Sequence, residues 1–353
     1  MTGRVFQLVP VLEPGDAIGT HAQRMAEILG EQSGGFIVQK VAPELEHLAT
    51  HWSKAEVSPD DILIYHVALA SELGNWMRGI EARKVIDYHN ITPPEFFRAY
   101  EPGLSVALAG SHYELELLRP EVLLAISDSD YSRLELEAMG FARTETLPIF
   151  IDYAQYEVEP NQHLMEELTR GKSERGDILF VGRIAPNKRH EDLIKAFVTY
   201  RRAFRPSARL FLVGGTNSLN YSRVLEKFVQ RLGVEGVNFV GRVPTEDLVA
   251  YYRSADVFLS MSEHEGFGAP WVEAMYFGLP IVSFAAAAIS ETVGEAGVLF
   301  REKNYEDVAA LIDVVMQDEE VRNRLAAAGR ARFEYFRPEV FEARFRSMIE
   351  ELP

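Results

Sequence analysis

Short apolar runs rich in Val, Ile, Leu and Phe recur along the chain, separated by longer stretches in which apolar residues return every third or fourth position. The short runs read as strands buried on both faces, and the longer stretches as amphipathic helices. In the first half the runs predict strands over 5–10, 35–41, 61–66, 84–87 and 122–127, with helices over 21–31 and 131–139. Residues 153–176 are polar and lack a clear period, which predicts a linker or a linker with one short helix. The alternation then restarts, with strands over 177–181, 209–213, 237–240, 257–260 and 280–284 and helices over 191–204 and 224–232. From 305 to 353 the pattern is almost wholly helical. Strands alternating with helices form parallel α/β units, and a chain of 353 residues suits two such domains.

Composition narrows the chemistry. With no cysteine, disulfides, thiolate catalysis and cysteine-ligated metal clusters are excluded. The amino terminus lacks a basic segment followed by a long apolar run, and the longest nearly apolar stretch, 279–289, falls short of the roughly 20 residues a spanning helix needs. The expectation is a cytoplasmic protein, with at most peripheral contact at the inner membrane face. Net charge is −17 and unevenly shared. Residues 1–172 hold 13 basic and 27 acidic side chains, and the remainder 23 and 26. So acidic a first half argues against nucleic acid as a partner and against a broad basic face on anionic lipid. The nearly neutral second half is where an anionic ligand is expected.

Several nucleotide and hydrolase motifs are missing: G-x-G-x-x-G after a strand, G-x-x-x-x-G-K-[ST], and G-x-S-x-G. Two other constellations carry chemistry. In SMSEHEGFGAPWVEAMYFGLPIVSF (260–284), a strand runs into Gly266 and Gly268, and Pro270 marks a helix start. Strand, glycine loop and helix N-terminus in succession make an anion-binding nest. Glu265 in the loop can accept hydrogen bonds from sugar hydroxyls, and Glu273, one turn into the helix, from both hydroxyls of a ribose. In ILFVGRIAPNKRHEDLIKAF (178–197), a strand ends at Gly182 and Arg183, and a short loop delivers Lys188. Two cations so placed can clamp a diphosphate and stabilise it as a leaving group. Singly, each of these residues would read as an ordinary surface charge.

Together, in this order and about eighty residues apart, the two segments resemble the family-4 retaining glycosyltransferases (glycosyl transferases group 1) of the GT-B fold. LFLVGG (210–215), VNFVGRVPTEDLVAYYRSADVFLSMS (237–262), ETVGEAGVLF (291–300), and AISDSDYSRLELEAMGF followed by LPIFID extend the resemblance over nearly the whole chain. The fold it implies is α/β, with two Rossmann-like doubly wound domains facing a central cleft. They are expected as an acceptor-side domain over 1–152, a linker over 153–176, a donor domain over 177–335 and a helix over 336–353 returning to the first domain. The resemblance assigns Glu265 to the donor sugar, Glu273 to the ribose, Arg183 and Lys188 to the diphosphate, and the backbone around Gly266, Phe267, Gly268 and Ala269 to sugar hydroxyls or phosphate. Arg242 and Val243 would face the base. Gly19, with Gly15 as the weaker counterpart, matches a glycine loop near the donor phosphates, and His89 in VIDYHNITPPEFF matches a histidine beside the donor sugar. His66 reads as structural, and His21 is placed at a helix start reaching the cleft.

The implied activity is metal-independent, retaining transfer of a hexosyl unit from a UDP- or GDP-linked sugar to a glycan or glycolipid hydroxyl, in polysaccharide or glycolipid assembly. No separate cofactor and no metal site are expected, and no His/Asp metal triad is apparent in the sequence. The oligomeric state and acceptor are left open. Two departures stand out: SFAAAAISETVG, before Glu291, lacks the family's glycine-rich turn and proline, and 90–120 matches nothing that identifies an acceptor. A nucleotide-sugar epimerase of the same architecture and a catalytically silent transferase-like subunit are the competing readings.

Overall fold

A computed structural model describes residues 3–172, 176–216 and 218–353, so 173–175 of the expected linker lie outside the described residues. The chain divides into two compact units, one of Met1–Glu95, Gly103–Asp152 and Arg337–Pro353, the other of Phe96–Pro102 and Tyr153–Phe336.

The first unit holds a parallel sheet of β1 (Val5–Leu12), β2 (Ser33–Val41), β3 (Ala49–His51), β4 (Ile62–Val67), β5 (Arg83–Tyr88), β6 (Val122–Ser127) and β7 (Thr144–Thr146), in the order β3-β2-β1-β4-β5-β6-β7. Every residue of β4 is buried, as a strand covered on both faces requires. Around the sheet run α1 (Ala17–Leu29), α2 (Glu72–Arg78), α3 (Pro102–Leu118) and α4 (Asp130–Ala138). α1 starts a turn before the expected 21, because the Asp16 side chain accepts the Gly19 N–H and caps the helix; it stops at Gly30, whose φ of 57° suits only glycine well. The last helix of the chain, Pro338–Glu350, sets Phe341, Phe345, Met348 and Ile349 into the core of this unit beside Met25, Ile28 and Phe150.

The second unit repeats the plan with β8 (Asp177–Val181), β9 (Arg209–Val213), β10 (Val237–Gly241), β11 (Val257–Ser260), β12 (Ile281–Phe284) and β13 (Gly297–Phe300), in the parallel order β10-β9-β8-β11-β12-β13. Its helices are α5 (Gln162–Thr169), α6 (His190–Ala203), α7 (Leu219–Leu232), α8 (Thr245–Ser254), α9 (Ala269–Tyr276), α10 (Ile289–Val293), α11 (Tyr305–Gln317) and α12 (Glu319–Phe333), so the chain's last helix is α13. The polar 153–176 stretch includes α5, whose cap Asn161 also bonds Asp247 of α8 at 2.8 Å. Leu193, Phe197 and Tyr200 of α6 share one core with Leu210, Leu212 and Leu259 of the sheet and Val308 and Ile312 of α11.

In both sheets the strand order reverses beside the first strand, between β1 and β4 and between β8 and β11. In doubly wound sheets, ligands bind beyond the carboxyl ends of the strands at this switch point. Among the described residues no helix is long and apolar enough to cross a membrane.

Candidate functional site

At the switch point of the second unit, the carboxyl ends of β8 and β11 bring the two motif loops together. After β8 the chain passes Gly182 and Arg183, makes a 3-10 turn over Pro186–Lys188, and enters α6 through Arg189, whose φ of 52° is left-handed. Left-handed non-glycine backbone costs on the order of 1–3 kcal/mol and collects at functional turns. Asn187 ties this loop to the other: its Nδ2 donates to His264 O at 3.0 Å, and its carbonyl accepts the Glu263 N–H at 2.9 Å.

Lys188 Nζ donates to Glu265 Oε2 in a charge-assisted pair. The other carboxylate oxygen of Glu265 is buried without a hydrogen-bond partner among the described residues, an acceptor the protein itself leaves unused. Arg183 is exposed and has no protein partner among the described residues. Three glycines of positive φ, Gly182, Gly214 and Gly241, end β8, β9 and β10 side by side, at 154°, 141° and 81°. The Gly182 N–H donates to Val213 O and the Gly214 N–H to Gly241 O, at 2.9 and 2.8 Å. A Cβ on Gly214 would lie 2.2 Å from Gly182 O, so the loops meet this closely only with glycine there. Arg242 and Val243 follow directly, with the Arg242 Cβ beside Gly215.

Gly268, with φ of 95°, caps α9, and Pro270 occupies the first turn, as expected of this helix start. Phe267 is buried, its carbonyl accepting Thr292 Oγ1 at 2.6 Å, and Ala269 opens the helix. Inside α9, Trp271 is fully buried and donates its indole N–H to Ser283 Oγ at 3.0 Å, fixing the helix on the sheet. Glu273 receives Tyr156 OH on one oxygen at 3.0 Å and Tyr252 OH on the other at 2.6 Å. Burial raises its carboxyl above the ordinary range, and the two phenols pull it back. The sequence reading missed both tyrosines: Tyr156 lies in the polar stretch read as a linker and Tyr252 in α8, and nothing in their spacing points to Glu273. The turn before Glu291, which lacks the family's glycine, puts Ala287 at a φ of 50° instead, and the next N–H, of Ala288, donates to the Glu265 carbonyl at 3.3 Å.

The first unit assembles a second constellation. Gly19 lies inside the first turn of α1, its N–H already donated to Asp16 Oδ2 at 3.0 Å, while Gly15, with φ of 70°, shapes the preceding turn. His89 Nδ1 bonds the Asp128 carboxylate at 3.0 Å, and its Nε2 faces His66 Nδ1, also at 3.0 Å. His66 Nε2 meets Gln7 Oε1 at 2.7 Å. His21 is not at a helix start reaching outward, as its position in the sequence suggested: it is completely buried, with Nε2 2.9 Å from Asp87 Oδ2. The backbone N–H of Phe150 donates to His21 Nδ1 at 2.8 Å, so the His21 proton sits on Nε2 and the ring is neutral. His66, placed by the sequence as structural, is one arm of a trio with Asp87 and His89 whose ligand-type atoms converge. Burial holds His66 well below the usual histidine range. Burial also opposes charge on His89, but the Asp128 and Asp87 carboxylates outweigh it and raise its pKa to about 9.

Two doubly wound sheets with these switch-point loops define a GT-B fold, and solved structures agree. Anabaena HepE in complex with UDP and glucose superposes with a TM-score of 0.78 at 19% identity over 99% of this chain and 100% of that one. A sucrose-phosphate synthase from Thermosynechococcus elongatus gives 0.78 at 17% identity over 99% of each chain. Residues 166–332, which carry Arg183, Lys188, Glu265 and Glu273, match the family "Glycosyl transferases group 1". Among curated proteins, the chain is similar to O-antigen chain mannosyltransferase B of Escherichia coli, 32% identical over 163 residues, 46% of this chain and 42% of the relative. It is also similar to a GDP-mannose-dependent alpha-(1-6)-phosphatidylinositol monomannoside mannosyltransferase of Mycolicibacterium smegmatis, 27% identical over 220 residues, 60% of this chain and 56% of the relative. The chain thus spans about half the length of these curated relatives.

Proposed function

We propose that the protein is a retaining, metal-independent glycosyltransferase that moves a hexosyl unit from a nucleotide-diphosphate sugar to a hydroxyl of a glycan or glycolipid, in polysaccharide or glycolipid assembly. The observation that carries this reading is the joined pair of loops at the second switch point, inside the segment that matches the family. The donor diphosphate lies against Arg183, Lys188 and the turn from Gly266 to Ala269. Two cations and a helix N-terminus neutralise the leaving diphosphate without a bound dication. The free oxygen of Glu265 accepts a sugar hydroxyl. Glu273, oriented by Tyr156 and Tyr252, accepts the ribose hydroxyls on its remaining lone pairs, and Arg242 and Val243 border the base.

His89 has both ring nitrogens engaged inside its own unit, and the Gly19 N–H is already used by Asp16. Support for a hydroxylated acceptor comes from a cavity of about 510 Å³ in the first unit, lined by Gln39, Ser71, Glu72, Asn75 and Glu114 among others. UDP-linked and GDP-linked hexoses are both candidate donors: UDP-glucose is bound in a second HepE structure, and the mycobacterial relative is named for GDP-mannose dependence.

Incubation with each donor in the absence of acceptor tests the reading, because water then serves as a slow acceptor. Release of free sugar whose first-formed anomer matches the donor supports retaining transfer. Release of the opposite anomer overturns retention, and conversion of the donor to an isomeric nucleotide sugar favours an epimerase.

A further inference from the structure

We propose that His66 Nδ1, His89 Nε2 and Asp87 Oδ2 form a binding site in the first unit for one borderline transition-metal dication of the zinc(II) class. The three atoms stand 3.0, 3.4 and 3.7 Å apart. A four-coordinate zinc with bonds of about 2.0–2.1 Å holds its ligand atoms about 3.3–3.4 Å from one another, so an ion fits among them with only tenths of an ångström of adjustment. Two imidazole nitrogens and one carboxylate oxygen, with a fourth position left for water or a ligand oxygen, is a recurring zinc donor set. Nitrogen-rich sites of this kind select zinc and its neighbours over magnesium or calcium.

The surroundings are built as metal sites are. Ligating histidines give their other ring nitrogen to a carboxylate or a carbonyl, and ligating carboxylates are themselves hydrogen-bonded. Here His89 Nδ1 is held by Asp128, His66 Nε2 by Gln7 Oε1, and Asp87 Oδ2 by the Nε2–H of neutral His21. The second oxygen of Asp87 is buried with no partner among the described residues, so this carboxylate has acceptor capacity unused.

The ion would bind together α1, β4, β5 and the turn after β6. It has no part in the diphosphate chemistry proposed for the second unit.

The test is to strip the full chain with chelator and titrate it with zinc and with cobalt(II) at pH 8. The expected results are uptake of one ion per chain and the intense visible bands of four-coordinate cobalt in the unmodified protein. Asp128→Asn should weaken uptake roughly 10–100-fold, and His66→Gln should abolish stoichiometric binding. Because either variant can disturb the buried cluster, the cobalt spectrum of the unmodified protein is decisive without them. No stoichiometric uptake, the faint spectrum of six-coordinate cobalt, or undiminished uptake by folded His66→Gln would overturn the proposal. Donor binding measured on the same samples separates this outcome from a failure of the transferase reading.

Discussion

Truncating Lys188 to alanine separates two roles that the structure gives to one side chain. Its ammonium is paired with Glu265, and the two side chains are only 17% and 8% exposed. In the variant, Glu265 keeps a buried carboxylate with no side-chain partner on either oxygen. Breaking a fully buried pair costs about 3–5 kcal/mol, and partial exposure of the lysine reduces that to about 2–3 kcal/mol. Adding Glu265→Gln removes the stranded charge, so the double variant should regain about 2 kcal/mol relative to Lys188→Ala, the coupling of a double-mutant cycle. Turnover should behave differently. Lys188→Ala is expected to lower donor turnover by roughly two powers of ten, as for loss of a group that stabilises the leaving charge, and Glu265→Gln should not restore it. Two units need not unfold together, so the readout must report on the second one alone. Of the three tryptophans only Trp271 lies there, fully buried in α9, and Trp52→Phe with Trp76→Phe leaves it as the sole indole. Urea titration followed by Trp271 fluorescence then gives the cycle. A Lys188→Ala variant within about 0.5 kcal/mol of its parent, the usual range for surface changes, would refute a buried pair. Turnover restored by the double variant would refute the assignment of Lys188 to the donor.

Other expectations follow from the same geometry. Gly214→Ala should destabilise the second unit by about 3 kcal/mol or more, since its Cβ meets Gly182 O at 2.2 Å at a φ of 141°, whereas Gly215→Ala, whose nearest neighbour is 3.9 Å away, should cost under about 1 kcal/mol in the same titration. Burial opposes ionisation of Asp192, but the Tyr305 hydroxyl and the Lys303 and Lys195 ammoniums outweigh it and hold its carboxyl well below its ordinary value of 3.8. Its contribution is therefore fully present above that value and lost as the pH falls below it, so Asp192→Asn should cost about 2 kcal/mol at pH 7 and progressively less below pH 4. Burial, followed by the charge of Lys188, lowers His190 from 6.5 to about 3. The unfolded chain then binds the extra proton first, and stability falls between those values by up to about 5 kcal/mol. His190→Leu should flatten that part of the acid-denaturation profile, and an unchanged slope would show that His190 is solvated.

The sequence carried the central strands because parallel strands covered on both faces are continuous apolar runs, as in β4 and β8. It did not carry β3 and β7, three residues each at the sheet edge, nor β13, short and half-buried. α3 escaped for a different reason: PGLSVALAGSHYELELL mixes small and apolar residues on all sides and shows no stripe. The same contrast governs the sites. Lys188, Glu265 and Glu273 could be singled out because a strand, a glycine turn and a helix start lie in succession, and the resemblance joined the two segments; the pairing of β8 with β11 brings their loops together. The histidine cluster was not, because His21, His66, His89 and Asp128 are far apart in the chain. They meet only through the order β1-β4-β5-β6, which no local pattern encodes.

Nucleotide-sugar binding by the second unit is tested most directly by titration calorimetry of the chain against GDP-mannose, UDP-glucose and ADP-glucose, with Lys188→Ala in parallel. The prediction is that a UDP- or GDP-linked donor binds at one site per chain, that the variant loses at least about tenfold in affinity through the missing charge-assisted contact, and that a donor concentration near 100 times its Kd stabilises the native protein by about 2.7 kcal/mol. No heat and no stabilisation from any of the three donors, with the protein folded, would contradict it.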